Sequence, residues 1–153
     1  MSSGDSGDSA DSGDSGDSGE AVQLADLAAL ERTFPQGVRG KRIHAVGAGG
    51  HGIAPALGLA QQRGALVTGC DLGVTSMSHL LTEQGVKLTL GHDPAHVAGC
   101  DLVVTNPAVT FLHPDHPELV AAQAAGIPVA QWQPLLDLLM RENIGVSVAG
   151  VHG

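Results

Sequence analysis

Between His44 and Leu57 the chain reads HAVGAGGHGIAPAL, and Gly47, Gly49 and Gly52 fall on the GxGxxG spacing directly after a short apolar run. Each glycine has its own use at that spacing. The first permits a tight turn, the second lets a ligand's phosphates approach the main chain, and the third lets the following helix pack closely on the sheet. A helix opening near His51 directs unpaired N–H groups and the positive end of its dipole at the gap. The segment Gly47, Ala48, Gly49, Gly50, His51 and Gly52 is therefore expected to cradle a diphosphate with backbone rather than with charged side chains. Asp71 closes the next strand, where an acid commonly accepts hydrogen bonds from ribose hydroxyls, and a strand-terminal Asp serves equally as a cap or turn residue. Taken alone, these features also fit NAD(P).

His92, Asn106 and Ala108 are the other binding candidates. They follow the third and fourth predicted strands, and parallel sheets collect ligands at strand C-terminal ends. His113, Asp115, His116 and Glu118 have the residue types that suit Zn²⁺, but Pro114 and Pro117 break any helix that would align them. They read as a polar, proline-punctuated loop, and no metal site is assigned. Cys70 and Cys100 lack a CxxC spacing and read as buried small hydrophobes, while Trp132 is expected to pack under the last helix. Ser76, Ser78 and the histidines form no Ser/His/Asp grouping that spacing supports, so no catalytic residue is assigned.

The elements that must position these residues alternate along the chain. A leading helix is predicted over 21–34, stopped by Pro35 and Gly37. Strands follow at 42–46, 65–70, 87–90, 101–105, 127–130 and 146–149. Helices fall at 52–63, 76–84, 117–125 and 133–141, with Gly64 placed as a helix-terminating glycine. Strands separated by helices of about ten residues imply a parallel sheet covered on both faces. The runs at 102–104 and 127–129 are continuously apolar, as doubly buried strands are. The expected class is α/β: a Rossmann-like, three-layer domain over 21–144, with a parallel sheet of about five strands.

Of the 153 residues, 2–19 repeat a Gly-Asp-Ser triplet with no apolar surface, and residues 1–20 are expected to be disordered. Six of the sixteen acids sit there, leaving ten acids against seven bases in the remainder and no clustered Lys/Arg stripe. Nucleic acid and anionic membrane are thereby disfavoured as partners. Nothing near the N-terminus resembles a signal peptide or a membrane span, so a cytoplasmic location is expected. The last stretch, GVSVAGVHG, is a β-branched strand entering a glycine turn, which is how a nucleotide-phosphate loop begins. Residues 145–153 are expected to belong to an absent domain and to lack sheet partners here.

In order, these pieces resemble the N-terminal domain of the Mur ligase family, especially the branch that joins L-alanine to UDP-N-acetylmuramate. IHAVGAGGHGI resembles that family's IHxxGIGGxGM loop, VTGCD its second strand and GHDPAHV the segment after the third. DLVVTNPAV stands where a strand usually ends in Ser-Ser-Ala-Ile, and HPELVAAQAAGIPV resembles an Asn-Pro-Glu helix with its following strand. LLDLLM matches the helix before the ATP-binding domain, and VAGVHG matches the glycine turn that Lys and Thr follow. Ile53 for a usual Met, His51 at a small-residue position and Asn106-Pro107 for a Ser-Ser pair are departures. A ligase that attaches a ready-made tripeptide to the same sugar nucleotide shares these features.

The resemblance implies that this domain binds UDP-N-acetylmuramate, with the diphosphate at the glycine loop. It implies that ATP and Mg²⁺ bind a central domain whose phosphate loop begins at Gly150, His152 and Gly153, and that the amino acid meets a third domain. No cofactor is expected in these residues, and the chain by itself is expected to bind the UDP-sugar weakly or not at all and to lack ligase activity.

Overall fold

A computed structural model describes residues 1, 21–141, 143, 145, 146, 148 and 150. The Gly-Asp-Ser tract, His152 and Gly153 lie outside the described residues. Five strands form one sheet: β1 (Arg42–Val46), β2 (Leu66–Asp71), β3 (Lys87–Leu90), β4 (Leu102–Thr105) and β5 (Val129–Gln131). Their order is β3-β2-β1-β4-β5, and every pairing is parallel. The helices are α1 (Leu27–Thr33), α2 (Ile53–Gln62), α3 (Ser76–Glu83), α4 (Pro107–Leu112), α5 (Pro117–Ala124) and α6 (Trp132–Met140), with a 3₁₀ turn at Pro94–Val97.

Side-chain alternation along each strand divides the core into two layers. Ile43, Ala45, Val67, Leu102 and Val104 face α1, α2, α3 and α6, where Leu30, Ile53, Leu57, Leu81 and Leu135 complete the larger apolar layer. The intervening Val46, Cys70 and Val103 face the other way, onto Val97 of the 3₁₀ turn and Leu119 and Ala122 of α5. The expected three-layer α/β architecture is the one observed.

Short-range chemistry sets the element boundaries. Asp26 caps α1 by accepting from the Ala29 amide, which confines that helix to the second half of the expected 21–34 span. The first half is extended: Leu24 bridges Val129 in parallel, and the Ala25 amide donates to the Val129 carbonyl at 2.7 Å. Thr75 and Ser78 form a reciprocal capping box on α3. Asn106 caps α4 with Pro107 in its first turn, a helix the sequence reading did not anticipate. Of the strand expected at 146–149, Val146 and Val148 belong to no strand and are 82% and 94% exposed.

Leu57 of α2 is fully buried against this larger layer. Leu57→Ala is expected to cost about 2–5 kcal/mol. Urea denaturation checks it, with the midpoint falling at an unchanged slope.

Candidate functional site

The strand order reverses about β1, whose neighbours β2 and β4 continue in opposite directions. In an open parallel sheet such a reversal leaves a crevice beyond the strand C-termini. A cleft of about 670 Å³ lies there, lined among others by Gly47, Gly49, Gly50, Asp71, His92, Asn106 and Ala108. Of the ten residues expected to bind substrate, these seven meet at one cavity. Ala48 is fully buried in the core, His51 is exposed outside the lining, and Gly52 faces α6. A Cβ at Gly52 would stand 2.9 Å from the Trp132 ring, which matches the packing use of the third glycine and places Trp132 against the core.

The turn from β1 into α2 is fixed on every side. Gly47 has φ +73°, and a Cβ there would lie 2.7 Å from Asn106 Nδ2, so both conformation and space call for glycine. The Gly47 and Ala48 amides both donate to the Cys70 carbonyl at 3.0 Å. The Gly49 amide donates to Asp71 Oδ2 at 2.8 Å, and Asp71 Oδ1 accepts from the Leu72 amide at 2.7 Å. Thr75 Oγ1 donates to the Gly49 carbonyl at 3.0 Å, and Asn106 Nδ2 to the Gly47 carbonyl at 3.4 Å. The Asp71 carboxylate thus holds the glycine loop, whatever else it meets.

These bonds change which amides remain for a ligand. Those of Gly47, Ala48 and Gly49 are engaged within the fold, while no acceptor among the described residues takes the amides of His51, Gly52 or Ile53. The cap residue Gly52 contributes no side-chain bond, so the positive end of α2 opens without an internal anion. Leu72, Val109 and Leu112 add apolar wall to the same cleft, and His113 and His116 line it with His92. No Lys or Arg lines it, and its one carboxylate already accepts two backbone N–H groups.

Next to the cleft stands a polar cluster that spacing alone does not reveal. Glu118 lies in the first turn of α5, within the helix expected over 117–125, and is fully buried rather than part of a solvent-facing polar segment. Its Oε2 accepts from His44 Nε2 and from the Cys70 thiol, each at 3.1 Å. Its Oε1 accepts from the Asp93 amide at 2.8 Å and lies 3.1 Å from His96 Nδ1. His92 Nδ1 is 3.1 Å from Cys70 Sγ, and its ring meets His116 edge-on at 4.5 Å. Cys70 is buried as expected, but it bonds to charged and aromatic polar groups rather than sitting as a plain hydrophobe. The clue available in the sequence is His44 itself, a lone polar residue inside the apolar run RIHAV.

Burial raises the Glu118 carboxyl, but bonds from His44, the Cys70 thiol and the Asp93 amide outweigh it and hold the group down at about 2. Burial likewise pushes the Cys70 thiol up, with Glu118 reinforcing the shift. His116 is lowered by burial and then by the neighbouring His92, which favours its neutral form.

The profile described as Mur ligase family, catalytic domain, matches residues 42–143. A UDP-N-acetylmuramate–L-alanine ligase from Leptothrix cholodnii is 41% identical over 113 residues, 74% of this chain and 24% of the relative. One from Bordetella pertussis is 40% identical over the same shares. Among solved structures, UDP-N-acetylmuramate-alanine ligase from Thermotoga maritima superposes with TM-score 0.60 at 29% identity, over 67% of this chain and 23% of that one. The UDP-N-acetylmuramate:L-alanyl-γ-D-glutamyl-meso-diaminopimelate ligase from Neisseria meningitides gives 0.52 at 27%, over 60% and 28%. The chain spans about a quarter of the length of the curated relatives it matches.

Glu118 also sets an acid limit on stability. Its folded pKa lies below the ordinary 4.5, so its contribution is complete above that value and is lost as pH falls toward about 2, where the folded form also takes up the proton. Glu118→Gln is expected to cost about 2–3 kcal/mol near neutral pH, because charge-assisted bonds are lost. The deficit relative to wild type should shrink as the pH falls through that window, as read by urea denaturation at a series of pH values.

Proposed function

The chain belongs to the Mur ligase family, and on that premise we propose that it binds UDP-N-acetylmuramate for an ATP-dependent ligase of peptidoglycan precursor synthesis. L-Alanine is the amino acid favoured by the relatives, since the curated ones near 40% identity carry that name and, among solved structures, the alanine ligase superposes at TM-score 0.60 against 0.52 for the tripeptide ligase. The observation that carries the reading is that α2 starts beside the switch-point cleft, just after the Gly47, Gly49 and Gly50 wall, with three amides lacking internal acceptors. Backbone N–H groups and a helix dipole are suited to a diphosphate, and they act here without a basic side chain.

In this proposal the diphosphate meets the segment from His51 to Ile53, just past the amides that shape the turn. His92, Asn106 and Ala108 border the nucleotide, with Leu72, Val109 and Leu112 beside its base or sugar. Asp71 acts chiefly by holding Gly49 in place, so a ribose contact would be an additional bond to an oxygen already occupied.

The same cleft does not fit the ATP and Mg²⁺ that the family's reaction uses. It has no lysine, and its one lining carboxylate is committed to backbone amides. The residues that the family resemblance assigns to ATP are Gly150, His152 and Gly153, of which only Gly150 is described, as an exposed residue outside helix and strand. We place ATP, Mg²⁺ and the amino acid on further domains of a longer ligase, with residues 145–153 as the start of its phosphate loop. This domain then supplies binding and orientation of the sugar nucleotide, and amide formation needs the others.

Two measurements on the 153-residue chain test this. UDP-N-acetylmuramate at about a hundred times its Kd should stabilise the fold by about 2.7 kcal/mol, and NADH should leave it unchanged. A thermal shift with NADH and none with the uridine compound would favour a dinucleotide-binding module instead. With ATP, Mg²⁺ and L-alanine added, no amide product should form, and product formation by this chain alone would contradict the division of labour.

A further inference from the structure

Four side chains of metal-binding type converge from four separate elements: His44 of β1, Cys70 of β2, His96 of the 3₁₀ turn and Glu118 of α5. One donor atom from each lies within 4.8 Å of all the others. We propose that these four residues form a closed structural site for Zn²⁺, distinct from the nucleotide cleft it adjoins.

Geometry carries the first part of the argument. Zinc ligands lie at about 2.0–2.3 Å from the ion, which places neighbouring ligands of a tetrahedron about 3.3–3.8 Å apart. Here Glu118 Oε2 is 3.1 Å from both His44 Nε2 and Cys70 Sγ, and Oε1 is 3.1 Å from His96 Nδ1. Movements of about an ångström convert these spacings into a coordination shell.

The donor set supplies the second part. A buried carboxylate needs hydrogen-bond donors, and a thiol is a weak one, whereas a thiolate is a preferred zinc ligand. Two neutral imidazoles, one thiolate and one carboxylate together offset the charge of the ion. On binding, the S–H bond breaks, a Zn–S bond forms and the proton leaves to solvent.

The surroundings are those of a supported site. His44 Nδ1 is held 2.8 Å from Thr68 Oγ1, which fixes the ring with Nε2 aimed at the cluster. The Asp93 amide steadies Glu118 Oε1 from outside. His92 stands on the cleft side as a fifth group of metal-binding type, its Nδ1 3.5 Å from that oxygen, and the side chains of His92 and His96, 21% and 23% exposed, give the ion a path from solvent. The ligands would tie the two central strands β1 and β2 to α5 and to the turn after β3.

The test uses the full chain, stripped with a chelator and titrated with Zn²⁺ against a chromophoric competitor and with Co²⁺ by absorption. Zn²⁺ should bind one per chain, and Co²⁺ should give a thiolate-to-cobalt charge-transfer band. Cys70→Ser should abolish that band and weaken Zn²⁺ at least as much as the roughly 100-fold that losing an outer-shell partner can cost. Cys100→Ser, which removes the other thiol, should keep the band. Far-UV circular dichroism confirms the fold of each variant, and His96→Asn provides a second ligand deletion with the same expected loss. Failure of stoichiometric binding, a cobalt spectrum without the thiolate band, or wild-type affinity in Cys70→Ser or His96→Asn would overturn the proposal.

Discussion

Two consecutive amides, those of Gly47 and Ala48, converge on one carbonyl, that of Cys70. This double bond pattern folds the end of β1 over the end of β2 and sets the angle at which α2 departs. It requires a left-handed Gly47 and leaves no room for a side chain against Asn106. The Asp71 carboxylate then takes the next amide, Gly49, and Thr75 takes its carbonyl. Once the first amides are committed in this way, those at the start of α2, next to the crevice, are the ones left without an internal acceptor. The ligand-facing surface is thus a consequence of how the turn satisfies its own backbone.

Cys70 joins the two chemically distinct regions of the molecule. Its carbonyl anchors the glycine turn, while its side chain points to the opposite face of β2 from the larger apolar layer and enters the Glu118 cluster. On that face the small apolar layer gives way to polar groups between β1, β2 and α5. A fully buried carboxylate is tolerated there because a backbone amide, a thiol and imidazoles surround it, the condition under which buried charge persists in proteins. The larger layer has no comparable group and is built mostly from Leu, Ile, Val and Ala, with Phe34 among them.

The sheet was legible because its strands read as short apolar runs punctuated by glycine, and doubly buried parallel strands leave that trace. The glycine turn was legible for the same local reason. The 21–26 segment misled because Val22 and Leu24 share spacing with the helix that follows, yet Leu24 extends the sheet edge beside Val129. Helix α4 escaped notice because it is six residues long and buries none of them, leaving no periodic signal. The Glu118 cluster was hidden by distance: its His44 and Glu118 members are 74 positions apart, and the topology alone brings them together. Likewise, Asp71 signals an acid at a strand end, but that its carboxylate grips the loop depends on the turn's three-dimensional course.

The central claim is that the N-terminus of α2, rather than the engaged amides of the turn, receives the diphosphate. Amide chemical shifts of the ¹⁵N-labelled chain titrated with UDP-N-acetylmuramate read this directly. The account predicts saturable perturbations that are largest at His51, Gly52 and Ile53, with Ala48 moving less. Saturable binding that leaves those three amides unmoved, with its perturbations elsewhere on the molecule, would contradict it.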